Sequence, residues 1–164
     1  MKEKIDYVNI DQKLLEKIVK EYEHKPEFLP EFAPFEQVIR NHMHFGEDAC
    51  SVAALHNGKP VGFISCNVRK FEKPMENQKD VYIDIIEVNV NYRRQGIARN
   101  LIKQCEEWAK QNGFSQIRSW SSQNKIQAIP MWHALGYCMC PAKIWSHRIG
   151  FENGVSGYFV VKKL

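Results

Sequence analysis

Much of what would identify this chain quickly is missing from it. No apolar run approaches the length of a membrane span, and Met1-Lys2-Glu3-Lys4 does not open a signal peptide. These absences exclude a helical membrane protein and point to a cytoplasmic location. There is no Gly-x-Gly-x-x-Gly and no Gly-Lys-Ser/Thr loop, so neither a Rossmann fingerprint nor a P-loop is present. Cysteine is sparse and odd in number, at Cys50, Cys66, Cys105, Cys138 and Cys140. Cys138-x-Cys140 does not have zinc-ligand spacing and no second pair accompanies it, so no metal is expected and the thiols read as reduced and partly buried. Among the histidines only His42-x-His44 is closely spaced. On a helix two such side chains diverge, which reads as surface or cap residues. Charge of one sign is not in excess: the net charge is +4, and Lys and Arg are spread without an interleaved basic-aromatic tract. That composition and the lack of a known motif argue against a nucleic-acid partner. Repeats, low-complexity tracts and linkers are absent too, so residues 1–164 read as a single domain with ample length for one core.

What is present alternates between strand and helix patterns. Residues 5–10 suit a first strand. Leu14, Leu15, Ile18, Val19 and Tyr22 recur at helical spacing behind Asp11, a candidate N-cap. Pro26, Pro30 and Pro34 interrupt the chain, and Phe35, Val38, Ile39 and His42 mark a shorter helix. Cys50–Leu55 and Val61–Phe71 flank a turn at His56-Asn57-Gly58-Lys59-Pro60 and read as a hairpin. A polar stretch at 72–80 precedes a strand at 81–90. A helix follows from about 97 to 111, with Ala98, Leu101, Ile102, Cys105, Trp108 and Ala109 on one stripe and Gly113 as its stop. Gln116–Ser122, Tyr137–His147 and Gly157–Lys163 read as strands, and Ile126–Leu135 as a short helix containing Pro130. This order implies an α/β arrangement, a mixed sheet with helices on both faces.

Within the strand at 81–90 the apolar positions change parity. Val81, Ile83 and Ile85 are odd; Ile86, Val88 and Val90 are even. Side chains alternate with a period of two, so one extra residue near 85–87, a β-bulge, is needed to keep both sets on one face. The strand then feeds Arg93-Arg94-Gln95-Gly96-Ile97-Ala98-Arg99, a basic, glycine-containing turn at a helix start. The first helical amides lack intrahelical partners and the helix dipole favours an anion there. Gly96 lets the backbone approach a ligand, and Arg93, Arg94 and Arg99 supply charge suited to phosphate oxygens.

The Arg-x-x-Gly-x-Ala spacing at Arg93, Gly96 and Ala98 resembles the pyrophosphate-binding turn of the GNAT superfamily of acetyl-coenzyme A-dependent N-acetyltransferases. The element order is similar to the GNAT fold over roughly residues 5–164. The resemblance implies an N-acetyltransferase that moves the acetyl group of acetyl-CoA, its co-substrate, to a primary amine of a small molecule or peptide by direct attack in a ternary complex. It places the bulge where two strands splay around the pantetheine arm, with the backbone at Val88 and Val90 holding the pantetheine and thioester oxygen. It points first to Asp84, and with it Glu87, for handling the amine; a carboxylate in a partly dry cleft gains basicity. The late-helix pattern is matched only in part. Ala128, Trp132, Gly136 and Tyr137 are in register and Asn124 is one residue too far upstream. Asn124 and Trp132 are assigned to the coenzyme site on that basis. Trp132 stands where the family's tyrosine acid usually is, and an indole N–H is a donor but not an acid. Tyr137 is expected to be structural and His133 to lie on the helix surface. No acid is required if the thiolate leaves unaided.

The region bordering the acceptor pocket in GNAT folds carries six glutamates (Glu16, Glu21, Glu23, Glu27, Glu31, Glu36) against three lysines, with Tyr22, Phe28, Phe32 and Phe35 among them. An acidic, aromatic rim suits a cationic amine; a solvated helix face over core aromatics reads equally well. The other classes are a non-catalytic acyl-CoA sensor or partner-binding module on the same fold, and a small basic nucleic-acid-binding domain. A homodimer is left open by the sequence.

Overall fold

Asp11 starts the first helix as its sequence position suggests: its Oδ1 accepts the Leu14 amide at 2.7 Å. The computed structural model describes residues 4–22, 35–71, 73–123, 125–144 and 154–164. In chain order the elements are β1 (Ile5–Asn9), α1 (Gln12–Tyr22), α2 (Phe35–His42), β2 (Ala49–His56), β3 (Lys59–Lys70), β4 (Lys79–Val88), a 3-10 turn (Val90–Tyr92), α3 (Ile97–Gln111), β5 (Gln116–Ser122), α4 (Ala128–Ala134), β6 (Cys138–Ile144) and β7 (Val155–Lys163). The strands form one mixed sheet in the order β1-β2-β3-β4-β5-β7-β6. β4 and β5 are parallel, with Val81 opposite Ile117 and Tyr82 opposite Arg118. The β1–β2, β2–β3, β5–β7 and β6–β7 pairs are antiparallel.

The chain divides into two compact units, residues 1–68 with 84–108, and residues 69–83 with 109–164. In the first, α1 and α2 bury Leu15, Ile18, Val19, Tyr22 and Ile39 against Ala53 and Phe63. Tyr22 meets Phe63 edge-on, with centroids 5.2 Å apart. Arg40 of α2 forks onto Glu16 of α1 at 2.6 and 2.8 Å and reaches Glu36 at 3.2 Å. Helix α3 buries Ile97, Leu101, Ile102, Cys105 and Ala109. Its stripe therefore begins at Ile97, whereas Ala98 and Trp108 are half-buried. Gly113, at φ 79°, ends it in the left-handed region where glycine is unstrained.

In the second unit Asp80 is buried and its Oδ2 accepts Arg118 Nε at 2.7 Å and Gln116 Nε2 at 3.0 Å. This pairing draws Lys79 and Asp80 into β4, which starts two residues before the sequence pattern suggests. Arg118 also lies over Phe71 and Tyr82, and Arg69 covers Tyr82 at 4.1 Å. Helix α4 starts at Ala128, leaving Ile126 72% exposed outside it, and Pro130 falls in its first turn, where no amide is needed.

The end of β4 differs from the sequence pattern. The strand stops at Val88, and Val90 belongs to the 3-10 turn. Asn89 caps that turn, its Oδ1 accepting the Asn91 amide at 3.2 Å. Asp84 bonds His44, which follows α2, while the adjacent Ile85 packs against the α1–α2 core. A register shift occurs in the β2–β3 hairpin, at Ala54/Leu55.

Candidate active site

The turn after β4 is built from inward anchors and an outward loop. The Asn89 amide donates to the Val61 carbonyl at 2.9 Å, tying the start of the turn to β3. Arg93 folds back: Nε donates to the Val88 carbonyl at 3.0 Å and Nη2 to Glu87 Oε1 at 3.1 Å. Arg94 and Gly96 both take left-handed backbone angles, φ 65° and 84°. The Asn100 amide then bonds the Gly96 carbonyl at 3.1 Å, closing the first turn of α3. A Cβ on Gly96 would meet nothing within 4 Å, so its backbone angle, and not crowding, is what asks for glycine. Arg94, Gln95, Gly96 and Arg99 are exposed, Ala98 is half-buried, and Ile97 is sunk into the core as the peg of the helix. The loop thus offers the free amides of a helix start with two outward cations, Arg94 and Arg99. The third arginine, Arg93, braces the strand end.

Glu87 is the counterpart of that brace. Its Oε1 takes both Arg93 Nη2 and the Val88 amide, each at 3.1 Å, and its side chain is 11% exposed. The Val88 amide, expected to face the acyl group, is engaged by Glu87 here. Val90 is 48% exposed on the 3-10 turn. The close approach of this corner to β3 depends on Gly62, where a Cβ would stand 3.1 Å from the Glu87 carbonyl and 3.2 Å from Ile97 Cγ2.

Asp84 has a different environment. Its side chain is 6% exposed, and Oδ2 lies 2.5 Å from His44 Nε2. The main chain of His44 is held on both sides. Its amide donates to Ser65 Oγ at 3.0 Å, Ser51 Oγ donates to its carbonyl at 2.7 Å, and the two serine hydroxyls meet at 2.7 Å. A quarter of the imidazole remains exposed. His44 is thus not the surface or cap residue that its spacing suggested. His42 does behave as a cap, its Nδ1 bonding the Val38 carbonyl at 2.8 Å. The sequence carries no local sign of the His44–Asp84 pair, because the partners are 40 residues apart and meet only through folding. A carboxylate holding an imidazole by one nitrogen fixes its tautomer and leaves the other nitrogen for proton transfer.

Trp132 is 2% exposed and packs edge-on against Tyr137, itself buried, with centroids 4.8 Å apart. Its Nε1 has no hydrogen-bond partner among the described residues. His133 is exposed on α4. Asn124 lies outside the described residues, as do Glu23, Glu27, Glu31, Phe28 and Phe32 of the acidic-aromatic stretch. Of the remaining glutamates, Glu16 and Glu36 both pair with Arg40, so part of that charge is already neutralised.

A family model described as the acetyltransferase (GNAT) family matches residues 13–137. No curated protein sequence matches the chain significantly. Among solved structures the chain is similar to Arabidopsis thaliana NAA60 in complex with acetyl-CoA, at 16% identity and TM-score 0.74, covering 98% of this chain and 100% of that one. It is also similar to the ribosomal-protein-S18-alanine N-acetyltransferase from Escherichia coli, at 14% identity and TM-score 0.68, with 96% and 92% covered. AAC(6')-Iy in complex with the bisubstrate analogue CoA-S-monomethyl-acetylneamine aligns at 18% identity and TM-score 0.68, over 88% and 97% of the two chains.

Proposed function

Because the chain belongs to the GNAT family of acetyltransferases, we propose that it transfers the acetyl group of acetyl-CoA to a primary amine of a small molecule or peptide within a ternary complex. The observation that carries this reading is the turn from Arg93 to Arg99, which follows the strand that carries Asp84, the partner of His44, and its short 3-10 turn. The outward amides and the exposed Arg94 and Arg99 fit a pyrophosphate, and Gly96 leaves room for it. Acetyl-CoA would supply the activated acyl group and a thiolate that leaves readily.

The residues of the chain do the rest. At neutral pH the acceptor is an ammonium ion and cannot attack until it loses a proton. With Nε2–H of His44 donated to the Asp84 carboxylate, the other ring nitrogen, Nδ1, is left as the acceptor of that proton. Asp84 then stabilises the imidazolium it faces. The serine pair keeps the His44 backbone in place, so little reorganisation is needed. Glu87, tied to Arg93 and the Val88 amide, sets the shape of the strand end and is the lesser of the two acids for the chemistry. The glutamates between 16 and 36 that Arg40 does not take up would favour a cationic acceptor.

The test is free-thiol release from acetyl-CoA across a panel of polyamines, aminoglycosides and peptide N-termini, beside calorimetry with CoA. Turnover with at least one amine class and CoA binding are the expected results. CoA binding with no turnover on any amine would favour the non-catalytic sensor, and failure to bind CoA would overturn the site itself.

A further inference from the structure

Three of the five cysteines converge in one place. Cys50 and Cys66 face each other across the β2–β3 ladder, and Cys105 comes from α3. Their three Sγ atoms all lie within 4.8 Å of one another. Cys66 and Cys105 are fully buried and Cys50 is half-buried, so the cluster meets solvent on its Cys50 side. No histidine, aspartate or glutamate joins it among the described residues.

We propose that Cys50, Cys66 and Cys105 form a three-thiolate site for monovalent copper. The donor chemistry makes the choice. All three ligands are soft sulfur, which selects Cu(I), zinc or iron–sulfur clusters over hard cations. Structural zinc takes four ligands, and iron–sulfur clusters take four cysteines as a rule; this group has three. A d10 monovalent ion has no ligand-field demand for a fourth donor and is satisfied by a trigonal set. With metal–sulfur bonds of about 2.3 Å, the sulfurs of a planar trigonal site stand about 4.0 Å apart. The observed spread needs to close by less than about 1 Å to match it. Elements that already pack together supply the ligands, so a copper ion would bind without folding anything new. The thiol protons leave to solvent as the ion binds, and no oxidant or reductant is involved.

The experiment is anaerobic titration of the fully reduced protein with Cu(I) in competition with bicinchoninate, followed by copper–thiolate charge-transfer absorption in the near ultraviolet. The expected result is one Cu(I) per chain held against the chelator. Cys50→Ser and Cys105→Ser should each weaken retention at least a hundredfold, while the double variant Cys138→Ser/Cys140→Ser keeps it. Cys50 is half-buried, so Cys50→Ser folds and keeps the test decisive even where Cys105→Ser does not. Copper that the wild type holds no more tightly than Cys50→Ser, or uptake that disappears with Cys138 and Cys140, overturns the assignment.

Discussion

At the scale of single residues, Asp84 and His44 act as one unit. Asp84→Asn and His44→Gln should each lower kcat/KM for the amine by roughly ten- to ten-thousand-fold, the range for positioned acid–base groups. The double variant should be little worse than either single one, because the two residues serve one proton transfer. Coenzyme affinity should stay constant in calorimetry, since the turn at 93–99 is untouched. Glu87→Gln keeps an oxygen for Arg93 and the Val88 amide, and should be the mildest of the set. Trp132 gives a second expectation. Its indole N–H bonds nothing among the described residues and its body packs on Tyr137. Trp132→Phe should therefore retain most of kcat, whereas Trp132→Ala should cost about 3–5 kcal/mol of stability through the cavity it leaves. A hundredfold loss of kcat in Trp132→Phe with the coenzyme still bound would place the indole at the reacting centre instead.

At the scale of elements, the turn into α3 can be separated into backbone and charge. Gly96→Asp puts a negative charge where the pyrophosphate is proposed to sit and should weaken CoA at least tenfold, about 1.4 kcal/mol. Gly96→Ala carries the same backbone strain without the charge, so the difference between the two variants isolates the electrostatic part. Equal affinities for wild type and Gly96→Asp would remove the phosphate from this turn. Elements of this kind were the most legible in the sequence. Helix α3 matches its expected span because an apolar stripe, a glycine-containing start and Gly113 all mark it locally. The end of β4 was less legible. Val90 is apolar and in phase with Val88, yet Asn89 bonds to its own neighbours and starts a 3-10 turn. The start of β4 was hidden for the opposite reason, since Asp80 gains its place from Arg118 and Gln116 far along the chain. His44 and the three cysteines share that property. Each was visible as a residue, but its partners come from other strands and helices, and periodicity carries no information about them.

At the scale of the whole molecule, stability at high pH should depend on one phenol in the α1–α2 core. Tyr22 is fully buried, and burial first, then the charges of Glu87 and Glu21, push its hydroxyl well above the usual tyrosine range. Folding therefore favours the neutral phenol. Below about pH 10 the unfolded tyrosine is neutral too and the contribution is fully present. As pH rises beyond that, the unfolded chain ionises while the fold resists, and stability falls by up to about 1.4 kcal/mol per pH unit until the folded phenol also titrates. Denaturant midpoints at pH 9, 10 and 11 should show a widening gap between wild type and Tyr22→Phe, in favour of the variant. Parallel curves would mean that Tyr22 is free to ionise in the fold. Because Glu87 contributes to holding the phenol neutral, Glu87→Gln should narrow the gap slightly.

The fork from Arg40 to Glu16 has a consequence for how such a protein diversifies. The helices on either side of residues 23–34 hold each other directly, through that fork and through Leu15, Ile18, Val19 and Ile39 in their shared core. The ends of the stretch are therefore fixed by groups that do not belong to it. The spacing of Tyr22 and Phe35, whose ring centroids lie 6.2 Å apart, is then a property of α1 and α2 themselves. In diversification, the residues that must be kept for this pairing are therefore those of α1 and α2 themselves.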